Sequence, residues 1–487
     1  MPASSAYRPD PVYAAFNDAH ARAFADPVAP ADFPLRKLRH RNQRWAAAVG
    51  LETLTDNEWE RTFARFEPLP ANMGAPLAMR YHGHQFRTYN PDIGDGRGFL
   101  FAQMRDGAGR LLDLATKGSG QTPYSRFGDG RLTLKGGVRE VLASAMLEAQ
   151  GVYTSKAFAL FETGEALVRH DEPSPTRAAV LTRLSHSHIR FGTFQRLAYL
   201  NEPDLMRALV DHAVAAYYPD LLALEGESRI GAFFGEVVRA TARLAASWMA
   251  AGFVHGVLNT DNMTITGESF DYGPWRFLPS SQPGFTAAYF DHSGLYAFGR
   301  QPEAAVWNLA QLGGALNLIC ADAALNEAIS AFPLLYREAL REAVFARLGL
   351  RVGELESDLP FVQDLLGWMT DSQIGWAQFF HDWFAGRNAR RDALYDAAEF
   401  ALVRAGIEAR AAPSDPRLAH PIFAREKPVD LPIEEVEALW APIAEHDDWR
   451  AFDAKLREIE ELRVALALNP SPALREKGLT SVLRRGA

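Results

Sequence analysis

Residues 255–273 read HGVLNTDNMTITGESFDYG, and the order of their polar residues decides the fold that the sequence predicts. A histidine at 255, an asparagine at 262 and an Asp-Tyr-Gly that begins at 271 follow the order of the catalytic and metal-binding segments of kinase-like phosphoryl-transfer folds. Two residues after the histidine, where such folds carry the catalytic aspartate, this chain has Val257. Valine cannot accept a proton, but Asp261 places a carboxylate directly before Asn262. The stretch therefore predicts a kinase-like loop in which Asp261, and not residue 257, supplies the carboxylate.

Asn262 and Asp271 are the metal ligands that this loop predicts. A magnesium ion prefers oxygen ligands, which an amide, a carboxylate and the phosphates of a nucleotide would supply together. The alternative is a loop whose Asn and Asp residues only cap short helices. An upstream pair favours the metal site: Lys117 ends a predicted strand, and Glu140 lies 23 residues later in a predicted helix. In kinase-like folds such a pair holds the lysine amine against the nucleotide phosphates.

Two glycine-containing loops lie in the same region, NPDIGDGRGF at 90–99 and GDGR at 128–131. Backbone without a Cβ atom can approach phosphate oxygens and present its N–H groups to them. A single Gly-x-Gly-x-Gly is more often a simple turn. Each loop here also carries an arginine, Arg97 or Arg131, so the two copies together favour an anion-binding cradle.

The segment LTRLSHSHIRFG at 181–192 adds Arg183 and Arg190 to the candidate residues. Arginine is always charged and can grip a phosphate with two hydrogen bonds, although either residue alone could simply be solvent-exposed. Histidine pairs in this segment and in YHGHQF raise the alternative of a zinc site. The four histidines are His82, His84, His186 and His188. No third ligand follows from their spacing, so structural roles are preferred for them.

Composition limits the possible classes of protein. A chain of 487 residues with 48% hydrophobic and 23% charged residues can build two or more packed lobes. A net charge of −9 argues against a nucleic-acid-binding surface, although it leaves room for a local basic pocket.

Cys320 is the only cysteine and sits in an apolar run, which predicts a buried thiol and no disulfide. Without a signal sequence or a long apolar stretch, we expect a cytoplasmic protein with no membrane partner.

The order of predicted elements indicates an α+β fold. A hairpin at 98–118, a helix at 137–151 and two strands at 156–164 and 178–185 are followed by a mainly helical region. This order predicts two lobes that meet at a cleft, with a smaller N-terminal α+β lobe. The predicted boundaries are an N-terminal extension at 1–80, a nucleotide-binding lobe at 81–200 and a larger helical lobe at 201–487.

Several long segments of the chain resemble one known family, the selenoprotein-O-like protein adenylyltransferases (SelO, also called YdiU). The matching segments are GHQF, NPDIGDGRG, DLATKGSGQTPYSRFGDGR, VREVLASAM, TRLSHSHIRFG and HGVLNTDNMTITGESFDYGP, which together extend over about 81–275. The resemblance implies a protein-kinase-like fold that binds ATP in a flipped orientation. It also implies transfer of AMP to protein hydroxyls, with Mg²⁺ or Mn²⁺ as cofactor and with ATP and target proteins as partners.

The resemblance also implies roles for individual residues. Asp261 matches the family's proton acceptor, Asn262 and Asp271 match its metal ligands, and Glu140 matches the partner of the lysine. The residues implied to contact the nucleotide are Gly94, Gly96, Arg97, Lys117, Asp129, Gly130, Arg183, Arg190 and Asp271. One departure concerns the C-terminus, which reads KGLTSVLRRGA and lacks the Cys or selenocysteine of many family members. Redox control through that residue is therefore not expected.

Three other functions remain open from the residues. The same phosphate-binding groups could serve the transfer of UMP, because only recognition of the base would differ. They could also serve ordinary phosphorylation of a protein or a small molecule. A nucleotide-binding pseudokinase that acts as a scaffold is the alternative from a different class, which Val257 favours only if Asp261 cannot reach the nucleophile.

Overall fold

A computed structural model describes residues 6–170, 172–388, 392–412 and 414–468 of the chain. The strands in these residues are β1 (Ala25–Pro27), β2 (Lys37–Arg41), β3 (Leu77–Met79), β4 (Gly83–Gln85), β5 (Thr88–Asn90), β6 (Leu100–Arg105), β7 (Leu111–Lys117), β8 (Leu132–Thr133), β9 (Lys156–Leu167), β10 (Thr176–Ser185), β11 (Phe253–Val254) and β12 (Arg276–Phe277). The α-helices are α1 (Val12–Ala19), α2 (Gln43–Ala48), α3 (Asp56–Phe63), α4 (Leu134–Ala149), α5 (Phe191–Tyr199), α6 (Pro203–Tyr217), α7 (Gly226–Ala251), α8 (Gln301–Leu316), α9 (Asp322–Ser330), α10 (Phe332–Leu348), α11 (Leu355–Ser372), α12 (Trp376–Asp382), α13 (Ala393–Asp396), α14 (Ala401–Arg410), α15 (Ile433–His446) and α16 (Arg450–Leu466).

The N-terminal part is built on one antiparallel sheet with the strand order β1-β3-β6-β7-β10-β9-β2, in which β8 also pairs with β10. The predicted hairpin is confirmed as β6 and β7, with Met104 opposite Leu112. Strand β7 is buried along its whole length because its side chains alternate between two apolar clusters, one on each face of the sheet. Leu111 belongs to one cluster and Leu112 to the other. The sheet therefore holds the end of β7, where Lys117 lies, rigidly.

Helix α4 covers one face of this sheet against β9 and β10. It begins after Thr133, whose hydroxyl accepts a hydrogen bond from the Gly136 N–H (3.1 Å) and satisfies one of the free donors of the first turn. It ends just before Gly151, which has a φ of 82°, as the sequence predicted for a C-terminal glycine. Helices α15 and α16 lie on the outer side of α4, so this helix is enclosed between the sheet and the C-terminal region.

The region after residue 200 is mainly helical, as predicted. Helix α7, 26 residues long, contacts α8, α9 and α10 through its apolar face. It ends at Gly252, whose φ of 65° turns the chain into β11 and then into the loop that begins at His255. Cys320 is buried as predicted, at 4% exposure. Among the described residues, none of the helices combines the length and the apolar content that crossing a bilayer requires.

The α+β prediction is thus confirmed as an antiparallel sheet followed by a helical part. The segment 1–80, predicted as an extension, contributes β1, β2 and β3 to the same sheet as the hairpin. The predicted domain boundaries stay a prediction. The C-terminal stretch that lacks a cysteine lies outside the described residues.

Candidate active site

The loop after His255 is held by hydrogen bonds from three neighbouring segments. Thr260 accepts a hydrogen bond from the His84 N–H (2.7 Å) and donates one to the Gln195 side chain (2.6 Å). Asn259 accepts hydrogen bonds from the Phe86 N–H (3.0 Å) and the Tyr296 hydroxyl (2.9 Å). The β4–β5 hairpin therefore fixes the loop from one side. Because the bracing residues are far from it in sequence, the loop pattern alone did not reveal them.

His255 itself has a structural position. It is 1% exposed, its backbone N–H donates to the Gln301 side chain (2.9 Å), and its Nε2 atom donates to the carbonyl oxygen of Phe270 (3.0 Å). Burial lowers the pKa of His255, so the ring is neutral near pH 7. The histidine thus ties the start of the loop to the segment that carries Asp271.

Lys117, Glu140 and Asp271 lie together beside this loop. Lys117 Nζ is 2.5 Å from Glu140 Oε1 and 2.5 Å from Asp271 Oδ1. The structure thus brings the predicted strand lysine and helix glutamate together, and Glu140 is 2% exposed. Because a carboxylate lies on each side of it, the Lys117 ammonium group is held in one position before any ligand binds.

Asp271 is surrounded by positive charge. Arg183 Nη1 lies 3.4 Å from Asp271 Oδ1, and Arg190 Nη1 lies 3.9 Å from Asp271 Oδ2. Burial by itself raises the pKa of the Asp271 carboxyl, but the neighbouring cations hold that pKa well below its usual range. In order of effect these cations are Lys117, Arg183, Arg190 and Arg97. Asp271 is therefore ionised across the physiological pH range, as a metal ligand must be.

Arg190 connects the cation cluster to the loop. Its Nη1 atom donates to the backbone carbonyl of Asp261 (2.7 Å), and its Nη2 atom lies 3.2 Å from Asp95 Oδ1. Its guanidinium also lies 4.7 Å from the centre of the Phe270 ring. Asp95 stands between the two glycines Gly94 and Gly96, and the sequence offered no signal that it would orient an arginine. It is a site residue that pattern reasoning missed.

Asp261 differs from the other carboxylates of the site because one of its oxygens has no partner. Its Oδ1 atom is buried and accepts no hydrogen bond from the part of the chain that the structure describes. Burial raises the pKa of Asp261 to about 6, while the charge of Arg190 opposes this shift. A Cβ atom at Gly83 would lie 3.1 Å from the same oxygen, so the glycine leaves room beside it. A buried carboxylate oxygen without a donor is suited to accept a proton from a substrate.

Asn262 is oriented by Val257, the residue at the position where kinase-like loops carry the catalytic aspartate. Its side-chain nitrogen donates to the backbone carbonyl of Val257 (3.0 Å), which leaves the amide oxygen for another partner. That oxygen and the ionised Asp271 carboxylate form a donor set that fits a hard divalent ion. The described residues contain no group of three His, Cys, Asp or Glu side chains that could hold a metal ion by themselves. A metal here would therefore need phosphate or water oxygens as further ligands.

The four histidines of the zinc alternative make other contacts. His82 Nδ1 is hydrogen-bonded to the Tyr89 hydroxyl (2.8 Å), and His84 Nδ1 is hydrogen-bonded to Gln195 Nε2 (2.7 Å). His188 Nδ1 lies 3.3 Å from Asp113 Oδ2. His186 is buried, and burial lowers its pKa to about 4. The His186 ring packs against Tyr153 and Tyr217, so all four histidines have structural positions.

The predicted glycines are required by close contacts of both glycine-containing loops with the segment 120–124. A Cβ atom at Gly94 would lie 2.5 Å from the Tyr124 ring, and one at Gly96 would lie 2.9 Å from the Tyr124 carbonyl oxygen. Gly130 has a φ of 71° and packs against Gly120. Arg97 is exposed, and Asp129 pairs with Arg169 (2.8 Å) at the second loop. The nucleotide contacts of these residues stay predictions.

Replacement of Gly98 by alanine tests the packing role of the first loop. A Cβ atom at Gly98 would lie 2.1 Å from the Thr116 carbonyl oxygen, a backbone atom that cannot move aside. We expect Gly98→Ala to lower the free energy of unfolding by about 1–3 kcal/mol, measured by urea unfolding. Gly107→Ala is the control because a Cβ atom there meets no atom within 4 Å. Equal stability of the two variants would contradict the packing argument.

Comparisons with known proteins identify the family of this chain. The family model described as "Protein adenylyltransferase SelO" matches residues 12–405. A protein named "Protein nucleotidyltransferase YdiU" from Synechococcus elongatus is 44% identical over 457 residues, which cover 89% of this chain and 92% of that protein. Proteins of the same name from Gloeobacter violaceus and Myxococcus xanthus are 45% and 38% identical. Their matches cover 91% and 75% of this chain, and 93% and 74% of those proteins. The chain is a protein nucleotidyltransferase and belongs to the SelO family of protein adenylyltransferases.

Proposed function

We propose that this protein transfers AMP from ATP to the hydroxyl of a Ser, Thr or Tyr side chain in target proteins and releases pyrophosphate. The observation that carries the proposal is the unpartnered, buried Oδ1 atom of Asp261 beside an ionised Asp271. The Oδ1 atom accepts no hydrogen bond from the described residues and is open to a substrate proton, and Asp271 is a candidate metal ligand already held among cations. A scaffold that only bound nucleotide would have no need of the unpartnered carboxylate oxygen.

The proposal includes a kinase-like two-lobed fold with the predicted boundaries 1–80, 81–200 and 201–487. Its support is the position of the lysine–glutamate pair. Lys117 comes from an antiparallel sheet, Glu140 comes from the helix on that sheet, and both face a loop that follows the long helix α7. This is the arrangement by which kinase-like folds assemble a nucleotide site from distant segments.

The chain's own residues have the following roles in the proposed reaction. The substrate hydroxyl oxygen attacks the α-phosphorus of ATP, the bond to the pyrophosphate oxygen breaks, and the hydroxyl proton passes to Asp261. Lys117, Arg183 and Arg190 supply positive charge to the phosphates, and Arg190 also holds the backbone of the loop that carries the base. Asn262 and Asp271 would hold Mg²⁺ or Mn²⁺, which supplies charge screening when bound.

Labelled ATP tests the proposal directly. We expect label from the α-phosphorus of ATP, and none from the γ-phosphorus, to become attached to protein in the presence of Mg²⁺ or Mn²⁺. Transfer of the γ-label without the α-label would indicate an ordinary kinase and contradict the proposal. If neither label is transferred while ATP still binds, the chain acts as a nucleotide-binding scaffold.

UMP transfer is the second candidate, because the curated relatives are named nucleotidyltransferases without a specified base. The phosphate-binding cations would serve either nucleotide. A parallel incubation with α-labelled UTP separates the two, and we expect the higher rate with ATP.

Activity should depend on pH through Asp261. Burial raises the pKa of this carboxyl to about 6 in the free protein, and only the deprotonated form accepts a proton. We therefore expect kcat/KM to rise as the pH increases through about 6 and to level off above it. Glu268→Gln is the control, because burial raises the pKa of this second carboxyl to about 7. Removal of the Glu268 carboxyl should leave the rise of kcat/KM near pH 6 in place. A flat profile across this range would argue against Asp261 as the base.

A further inference from the structure

A cavity of about 270 Å³ lies away from the candidate active site, on the outer side of helix α4. The helix contributes Val141, Ser144, Ala145 and Glu148, which follow the spacing of one helical face. The segment from β2 into α2, the start of β9 and helix α16 form the other walls. The cavity is thus lined by parts of the chain that are far apart in sequence.

Lys156 at the start of β9 lines this cavity and is 5% exposed. Its ammonium group donates a hydrogen bond to the Thr154 carbonyl oxygen and lies 4.0 Å from Glu148 Oε1. An ammonium group has three donors, so the contacts made by the described residues leave donor capacity unused. Burial lowers the pKa of Lys156 although Glu148 raises it, which means that the nearby carboxylates only partly compensate the buried charge.

The charged side chains that line the cavity have an excess of positive charge. Four cations line it against two carboxylates. The cations are Arg41, Arg44, Lys156 and Arg463, and the carboxylates are Glu148 and Glu460. Arg44 pairs with Glu148 (2.5 Å) and Arg463 pairs with Glu460 (2.6 Å), so both carboxylates are already engaged. Arg41 pairs with Asp56 (3.2 Å), which lies outside the lining, so Lys156 is the lining cation with the weakest pairing among the described residues. The His40 ring is neutral near pH 7, because burial lowers its pKa to about 4.

Apolar side chains form the rest of the lining. Val141 and Ala145 from α4 face the cavity together with Leu456 and Ile459 from α16. A ligand that fits must therefore combine an anionic group for the cations with an apolar body for these walls. An inorganic ion would leave the apolar walls without contacts, and a neutral ligand would leave the charge of Lys156 only partly compensated.

We propose that this cavity binds a small organic anion, a carboxylate or a phosphate monoester, whose charged group is held by Lys156 and whose body lies between α4 and α16. Helix α4 also carries Glu140, the partner of Lys117 in the candidate active site. The ligand therefore acts as an effector that changes nucleotide affinity through this helix. This second step rests on the proposed function, whereas binding itself does not.

Calorimetric titration of the full chain with three probes tests the binding step. Benzoate and phenyl phosphate carry the two candidate anionic groups on the same ring, and benzamide is the neutral counterpart of benzoate. We expect one or both anions to bind and benzamide to bind at least about 10-fold more weakly, because a hydrogen bond to a charged group contributes more than one between neutral groups. Which anion binds identifies the class of ligand.

Variants locate the site. Lys156→Met should weaken binding of the anion by about 10- to 100-fold, and Ala145→Leu should weaken it by filling the cavity. Lys427→Met is the control, because Lys427 is an exposed lysine outside the cavity. The proposal is overturned if benzamide binds as well as benzoate, if no probe binds the wild type, or if both cavity variants bind as the wild type does.

The effector step has a separate readout. Titration with a fluorescent ATP analogue, with and without a saturating probe anion, should show a change in nucleotide affinity of about fivefold or more. Lys156→Met should abolish this change. An unchanged affinity would overturn the effector role while leaving the binding site intact. A wild type that binds the anion but transfers no nucleotide would contradict only the proposed function.

Discussion

Asp261→Asn should lower the rate of nucleotide transfer by about 10²- to 10⁴-fold, which is the typical contribution of a general base. The substitution keeps the shape of the side chain but removes its ability to accept a proton. The Oδ1 atom is buried without a hydrogen-bond partner in the described residues, so an amide there disturbs no existing contact on that atom. Nucleotide affinity should therefore stay within about twofold of wild type, since the cations that hold the phosphates are untouched.

The measurement for this variant is the initial rate of label transfer from α-labelled ATP, together with nucleotide binding by a fluorescent analogue. Asp204→Asn is a matched control, because the Asp204 side chain is 98% exposed and lies outside the site. If Asp261→Asn retained full activity, the proton would have to leave by another route and the assignment of the base would be wrong.

Asp271→Asn should reduce metal-dependent transfer by about 10³-fold or more. A bound metal typically contributes several kcal/mol of charge stabilisation, and each 1.4 kcal/mol or so corresponds to a tenfold change in rate. The variant also removes the carboxylate that lies 2.5 Å from Lys117 and near two arginines. These cations would then face one another without their shared partner, so we also expect a lower melting temperature.

The rate of transfer should be measured across a titration of Mg²⁺ and of Mn²⁺. Asp271 has a φ of 66°, a left-handed conformation that asparagine tolerates better than alanine does. Comparison of Asp271→Asn with Asp271→Ala therefore separates the loss of charge, common to both, from backbone strain, which is larger in alanine. Full activity of the asparagine variant at saturating metal would show that the metal site lies elsewhere.

Local patterns in the sequence were sufficient for several elements and for the order of the site residues, but not for the strands that segment 1–80 adds to the sheet. The β6–β7 hairpin, helix α4 with its terminal glycine and the long helix α7 follow from apolar spacing and turn residues, which act over a few positions. The pairing of Lys117 with Glu140 was predicted from the arrangement of kinase-like folds, in which a strand lysine pairs with a glutamate of the following helix. The order of the polar residues after His255, compared with the kinase-like loop pattern, named Asp261, Asn262 and Asp271.

The tertiary structure decided which of these residues has a partner and which does not. Asp95 orients Arg190, and the β4–β5 hairpin braces Asn259 and Thr260, through contacts between segments up to 176 residues apart. Such contacts carry no local signal, since each depends on how the sheet, the helices and the loop pack together. The same packing buries one oxygen of Asp261 without a donor and surrounds Asp271 with cations. Sequence thus determined which chemical groups are present, and three-dimensional packing determined the protonation and pairing of each.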